Sequence, residues 1–594
     1  MAALFTTPKR NDTTAGTHVA EPDVRRRIGL AHGSWRRVTR RIVAGAVCAL
    51  TVSSLLMPSV SLAAEWVKVG GNKYNTAASD EAGTWSWDGA DDLKLNNYNG
   101  GEIQAAGKLN VNYSGTNIVT AEWIESINVS HGTNENAELN IQGDEGGTLS
   151  VTSTEDAILS TGNINIDGAG SVNATSTGFD AINAGGDLAI KGSGNVNATG
   201  ASDGIRANGN ITIDDSGAVT ARATKDKGIG ADKNLTIKGG GTVEASSADG
   251  EALWSGGNIN ISDGSQVKAS SEKDAAVEAK GSLAATNASL NVNGVEYGVY
   301  ARKGITLDHA NVTVRASKGR YGGANALFTY QDDIVVKNGS TVDAFAEGEV
   351  SAAFSTRNDR PNEKGGHIYI SDSVVKAIAR YVENGDCPIP YSENQDGETR
   401  REPQGENIGI IAQTSEGVTP AVISIIRSKV TAEGDTAAIF ARAMSADGKT
   451  IGTIKIENAA IQTPEGGKVI DYRKLRDGIY EAGQAIGTGD ATVDSLYIKA
   501  VAKSTTIAPP EIAKPEDPKP DETKPAESKP AESKQNPKPE GSKPTKAVAA
   551  STTKAKTTGV LAATGDTSGA AIVATVLAGT AAIAVGAVVS RKRS

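Results

Sequence analysis

A pair of apolar residues, two positions apart, recurs eight times: Leu139/Ile141, Ile164/Ile166, Leu188/Ile190, Ile211/Ile213, Leu235/Ile237, Ile259/Ile261, Leu283/Ala285 and Ile305/Leu307. Successive spacings are 25, 24, 23, 24, 24, 24 and 22 residues. A near-constant period in this range marks a solenoid, built from one structural unit stacked on the next. Within the unit from Gly162, the apolar residues Ile164, Ile166, Val172, Ala174, Ile182 and Ala184 alternate with asparagines. Alternation with period two specifies strands with one buried and one wet face. Gly, Asp, Ser and Thr separate the three alternating segments and supply the turns.

The other two segments repeat as well. Val172, Val196, Val219, Val243 and Val267 are each followed two residues on by alanine. Ile158, Ile182, Ile205, Ile229, Leu253, Val277 and Val299 open the third segment. The pattern predicts an all-β fold, a right-handed parallel β-helix with three strands per coil of about 24 residues. Like residues then stack at ~4.8 Å into interior columns. Aromatic residues make up only 4% of the chain, as a narrow interior requires.

The repeat covers 139–463, and what flanks it reads as processing and support. Arg36, Arg37, Arg40 and Arg41 precede an apolar run from Ile42 to Leu56 and the small residues Ala63 and Ala64. That order predicts a secretory signal over 1–63, the run being short for a membrane anchor. Residues 64–138 are expected to cap the first coils, with Trp66, Trp85, Trp87 and Trp123 as an aromatic lid. Beyond Leu307 the column continues at Ile334, Ile368, Ile423 and Ile454, with polar insertions between. The gap from Ile368 to Ile423 could hide a coil ending at Ile408 to Ile411. Residues 464–505 are expected to cap the other end.

Over 506–558 the composition turns to Pro, Lys and Glu, which cannot bury a core and favours an extended stalk. Leu561-Ala562-Ala563-Thr564-Gly565 follows, then an apolar segment over 570–589 and Arg591-Lys592-Arg593. The run is long enough to span a bilayer, with the basic tail on the cytoplasmic side. Once the 12 basic and 4 acidic residues before residue 64 and after residue 564 are set aside, 48 basic and 66 acidic residues remain, a net charge of about −18. That balance argues against nucleic acid as a partner. Cys387 is the one cysteine outside the predicted signal, so no internal disulfide is expected.

The order of stalk, pentapeptide, span and basic tail resembles the cell-wall sorting signal of Gram-positive surface proteins. The Leu-Ala-x-Thr-Gly form is similar to the variant used by a sortase subclass in high-GC actinobacteria. The resemblance implies transient recognition by sortase, cleavage after Thr564 and covalent transfer of Thr564 to peptidoglycan. The protein would be secreted and held on the extracellular face of the wall, after existing as a membrane precursor. The repeat stretches Gly162–Gly168, Val172–Ala174 and Asp180–Ile182 resemble the carbohydrate-binding β-helix proteins of bacterial surfaces. That likeness implies acidic polysaccharide, of plant or host origin, as the partner and calcium as a cofactor held by carboxylates.

Stacking picks out two candidate sites. Asp156, Asp180 and Asp203 occupy one turn column, and carboxylates one coil apart repel unless protonated or bridged. They are candidate calcium ligands; the alternative is that each caps the N–H groups of its own turn. The wet column of the third strand reads Asn183, Arg206, Gly230, Trp254, Glu278, Tyr300 and Phe328. Arg206, Trp254, Tyr300 and Phe328 are the candidate ligand-binding residues, rings for sugar faces and arginine for a carboxylate. Scattered surface aromatics are the plainer explanation.

Catalytic signals are weaker. Gly200-Ala201-Ser202-Asp203-Gly204 has the G-x-S-x-G spacing but sits in a turn between strands, not at a strand-to-helix elbow. No catalytic residue is assigned. The sequence thus points to a wall-anchored protein that binds carbohydrate or mediates adhesion. Two alternatives stay open: a polysaccharide lyase or hydrolase, since pectate lyases share such a β-helix, and a structural adhesin with protein partners.

Overall fold

The computed structural model describes residues 63–510, apart from 122–126, 131–136, 320–321, 361–364, 383–391, 394–398, 401–405, 477 and 491. The described residues are all β, with long parallel sheets and no helix. The predicted signal, the sorting motif Leu561–Gly565 and the apolar segment 570–589 lie outside them.

Three strands complete each coil, and strands three apart in the chain pair in parallel. In the first sheet Ile164 stands in register with Leu188, Ile211, Leu235, Ile259, Leu283 and Ile305. In the second, Val172 stands over Val196, Val219, Val243 and Val267. In the third, Ile158 leads through Ile182, Ile205, Ile229, Leu253 and Val277 to Val299. These inward columns are buried and form one continuous core. Register is held because a one-residue slip would carry every apolar side chain to the wet face.

The loosened region keeps the same plan. Ile305 continues in register to Ile334, Ile368, Ile423 and Ile454. The long gap between Ile368 and Ile423 hides no additional coil. Asn407–Thr414 is the third strand of that same coil, paired with Val350–Asn358 on one side and Ala437–Ser445 on the other. The surplus length lies in the insertion that follows Val374–Tyr381.

Both ends turn antiparallel. Trp85–Trp87 folds back on Asp92–Asn96, burying Trp85 and Trp87 against the first coils. Trp66 remains partly exposed with Lys73 Nζ 4.2 Å from its ring centre, and Trp123 lies outside the described residues. At the other end Lys468–Arg476 and Ile479–Gly487 form a hairpin paired with Ala437–Ser445. Ser504–Ala508 pairs antiparallel with Lys429–Gly434, so the stalk expected from 506 starts inside a strand.

That hairpin and the segment after it also cover the outer face of the third sheet. Ile408, Ile411 and Phe440 point outward there and pack with Tyr472, Val493 and Leu496 in a second, smaller core.

Candidate functional site

Most third-sheet strands in the regular coils are only three residues long, such as Ile205–Ala207 and Leu253–Ser255. The two outer residues of each point inward and the middle one points out. The pairing therefore fixes a single outward column: Asn183, Arg206, Gly230, Trp254, Glu278, Tyr300 and Phe328, in register. All four predicted ligand residues fall in this column, and Trp254, Tyr300 and Phe328 are half-buried.

The column is not one uniform surface. Arg206 lies near a carboxylate, its Nη1 3.8 Å from Asp203 Oδ2. A Cβ on Gly230 would come 2.9 Å from Lys227 Cδ, so the missing side chain leaves room for the lysine stem. The Lys227 ammonium then lies 5.3 Å from the Trp254 ring centre, a cation–π distance. Glu278 separates Trp254 from Tyr300; it is buried and ion-paired with Lys280. Burial, reinforced by a hydrogen bond with Glu278, raises the neighbouring Glu251 carboxyl to about 7.

Beyond Glu278 the rings gather. Tyr300 and Phe328 stack at 5.6 Å and 26°, and Tyr297 lies 5.4 Å and 5.2 Å from them. Burial, helped by the charge of Glu296, pushes the Tyr297 phenol well above its ordinary range, so it stays neutral and a donor.

Two residues further along each strand runs a basic column that the sequence reading left out. Ala279, Ala301, Thr329 and Thr356 are in register, so Lys280, Arg302, Tyr330 and Arg357 follow in line. The Tyr330 hydroxyl donates to Asp359 Oδ2 at 2.6 Å, and Arg357 Nη2 is 3.9 Å from the same oxygen. With its amide turned as its neighbouring donors require, the Gln331 oxygen accepts from Arg360 at 2.7 and 2.9 Å and from Arg302 Nε at 3.3 Å. A neutral amide thus orients two guanidinium groups without cancelling their charge. Arg302 has no carboxylate partner among the described residues. Lys280 and Arg302 keep the spacing of the repeat and were legible; Arg357 and Arg360 follow a longer strand and were not.

The aspartate column is assembled in register, and its carboxylates accept backbone hydrogen bonds. Asp156 Oδ1 accepts the N–H of Asp180 at 2.9 Å, Asp180 Oδ1 that of Asp203 at 2.9 Å, and Asp203 Oδ1 that of Lys227 at 2.5 Å. Each carboxylate thus caps the next coil, because stacking brings that N–H within reach. Asp156 Oδ2 takes a further bond from Asn183 at 3.0 Å. Asp180 and Asp203 are buried, and burial raises both carboxyls; the charge of Asp180 adds to the shift of Asp203, which reaches about 7. One oxygen of each carboxylate is thus committed to a backbone donor, which leaves fewer oxygens for an ion. Among the described residues no group of three or more acidic, cysteine or histidine side chains is arranged to hold a metal.

No protein-family model, no curated protein and no solved structure matches this chain.

Proposed function

We propose that this chain is a bacterial surface protein that binds carbohydrate on the outer face of its third sheet. The observation that carries the reading is the cluster of Tyr297, Tyr300 and Phe328 beside Arg302, whose guanidinium meets a neutral amide and has no carboxylate partner among the described residues. Rings accept the apolar face of a sugar, and a guanidinium takes a carboxylate through two parallel hydrogen bonds. Side by side they suit a chain of carboxylated sugars, lying along the axis and meeting one outward residue per coil. Calcium is not needed for this, and the aspartate column is assigned a structural role. Trp254 and Lys227 extend the same face by two coils.

The reading places the solenoid outside the cell. It takes 1–63 as an export signal, the proline-rich run as a stalk, and Thr564 as the residue joined to peptidoglycan by a sortase.

A glycan array with the purified protein tests the binding. Carboxylated glycans such as oligogalacturonides are expected to bind and their neutral counterparts to bind less well on this face; an array on which no acidic glycan is retained sinks the proposal. Attachment is tested separately by cell fractionation. Thr564→Ala should release the protein from the wall fraction, and unchanged covalent retention would remove Thr564 from its assigned role.

A further inference from the structure

The first sheet carries a second surface that the aromatic face does not explain. Its outer side holds a groove of about 590 Å³ that runs along the axis. The floor is one outward column in register: Asn165, Ala189, Thr212, Thr236 and Asn260. The rim is the residue just before the first inward Ile or Leu of each first strand: Asn163, Asp187, Asn210, Asn234 and Asn258.

The rim is built by a close fit between coils. Asn163 Oδ1 accepts the N–H of Asp187 at 2.8 Å, Asp187 Oδ1 that of Asn210 at 2.7 Å, and Asn234 Oδ1 that of Asn258 at 2.9 Å. Glycine precedes most rim positions because a Cβ on Gly186, Gly209, Gly257 or Gly281 would fall 2.0–2.5 Å from the side-chain oxygen one coil back. With their oxygens turned to the backbone, Asn163 and Asn258 hold their amide NH₂ groups away from it. Those NH₂ groups make no hydrogen bond to the protein among the described residues, and neither do the side chains of Thr212, Thr236 and Asn260. The amides of Asn165, Asn210 and Asn234 are already bonded to Asn140, Asp187 and Asn210, so the groups the groove leaves open are those of Asn163, Thr212, Thr236, Asn258 and Asn260, with Asp187 and Lys191 its only charged lining residues.

We infer that this groove is a second binding site, for a linear neutral glycan. Hydroxyl and amide groups match the alternating donors and acceptors of sugar hydroxyls. Opposite charges on Asp187 and Lys191 give no preference for an acidic chain, and no ring is present to stack an aromatic ligand. The coil rise of ~4.8 Å is close to one hexose of an extended chain, whereas an extended peptide advances ~3.3 Å per residue and falls out of step. The site is independent of the third-sheet reading, since it lies on another sheet and shares no residue with it.

The test is calorimetric titration of the whole protein with linear hexaoses of glucose, mannose and xylose. At least one is expected to bind the parent. Thr212→Val/Thr236→Val, which keeps shape and removes both hydroxyls, should weaken it roughly tenfold. Ala189→Trp, which fills the floor, should abolish it, while Trp254→Ala binds like the parent. Unchanged melting of the valine variant separates lost contacts from lost fold. The inference is overturned if no hexaose binds the parent. It is equally overturned if binding survives both groove variants or is lost with Trp254→Ala. Failure of the third-sheet proposal would appear instead in the titration with oligogalacturonide.

Discussion

The outer face of the third sheet is used in two ways along its length. In the middle coils Trp254, Tyr300 and Phe328 remain half-buried, and Arg302 rests on the neutral Gln331. Further along the same column come Ser355, Ile411 and Phe440, and along the basic column Gln413 and Arg442. There the chain covers itself. Tyr472 packs edge-on against Phe440 at 5.0 Å, and Arg442 pairs with Glu406 at 3.0 Å and approaches Glu481 at 3.9 Å. One pattern, rings beside arginines, is thus given an apolar lid and close carboxylate partners at the end, while in the middle Arg302 meets a neutral amide and has no carboxylate partner among the described residues. The lid displays the chemistry the open part would accept: something flat and apolar on one side and acidic on the other.

The largest effect separating the two regions should be on stability. Phe440→Ala removes a fully buried ring from the smaller core and is expected to cost about 3–5 kcal/mol. Phe328→Ala, on the half-buried part of the face, should cost well under half of that. Denaturant unfolding of the two variants measures the contrast. Equal losses would mean that the middle of the face is as much a packed core as the end.

A smaller effect should follow pH. Burial raises the carboxyls of Asp203 and Glu251 to about 7 in the fold, against ordinary values of 3.8 and 4.5. A carboxyl raised on folding stabilises while protonated, so its contribution is complete below the ordinary value and is lost as pH climbs through 7. Each group should therefore subtract up to about 1.4 kcal/mol per pH unit between pH 5 and pH 7. Asp203→Asn keeps the acceptor for the Lys227 N–H and should flatten the loss, melting above the parent at pH 8. Added calcium should leave the parent's curve at pH 8 where it was. A melting temperature that rises with pH through this window, or with calcium, would return the column to the role of an ion site.

Much of this was legible in the chain. The 24-residue period and the period-two alternation fix which residues face inward, and with that the stacking of Ile, Val and Ala columns and the outward line from Asn183 to Phe328. The same logic found the aspartate column, but not the bonds its carboxylates make. Stacking makes the nearest N–H that of the next coil, and a linear reading sees only the residue's own turn. The covering of Ile411 and Phe440 was not legible, because it depends on where the hairpin from Lys468 to Gly487 folds back. The nearest hint was Ile411 and Phe440 themselves, two apolar residues in succession in a column that elsewhere mixes polar residues with rings. Arg357 and Arg360 were missed because Val350–Asn358 runs nine residues, where the regular third strands have three.

The central claim is that the open middle of the third-sheet face is a carbohydrate site, and calorimetric titration with oligogalacturonide tests it most directly. The parent, Tyr300→Ala and Arg302→Gln would be compared at low and at high salt. Truncating a central ring at a binding surface should weaken affinity by about 2 kcal/mol, roughly thirtyfold. Arg302→Gln should weaken it less and reduce its sensitivity to salt, because a screened charge pair has been removed. Parental affinity in both variants at both salt concentrations would contradict the account and leave this face as ordinary surface.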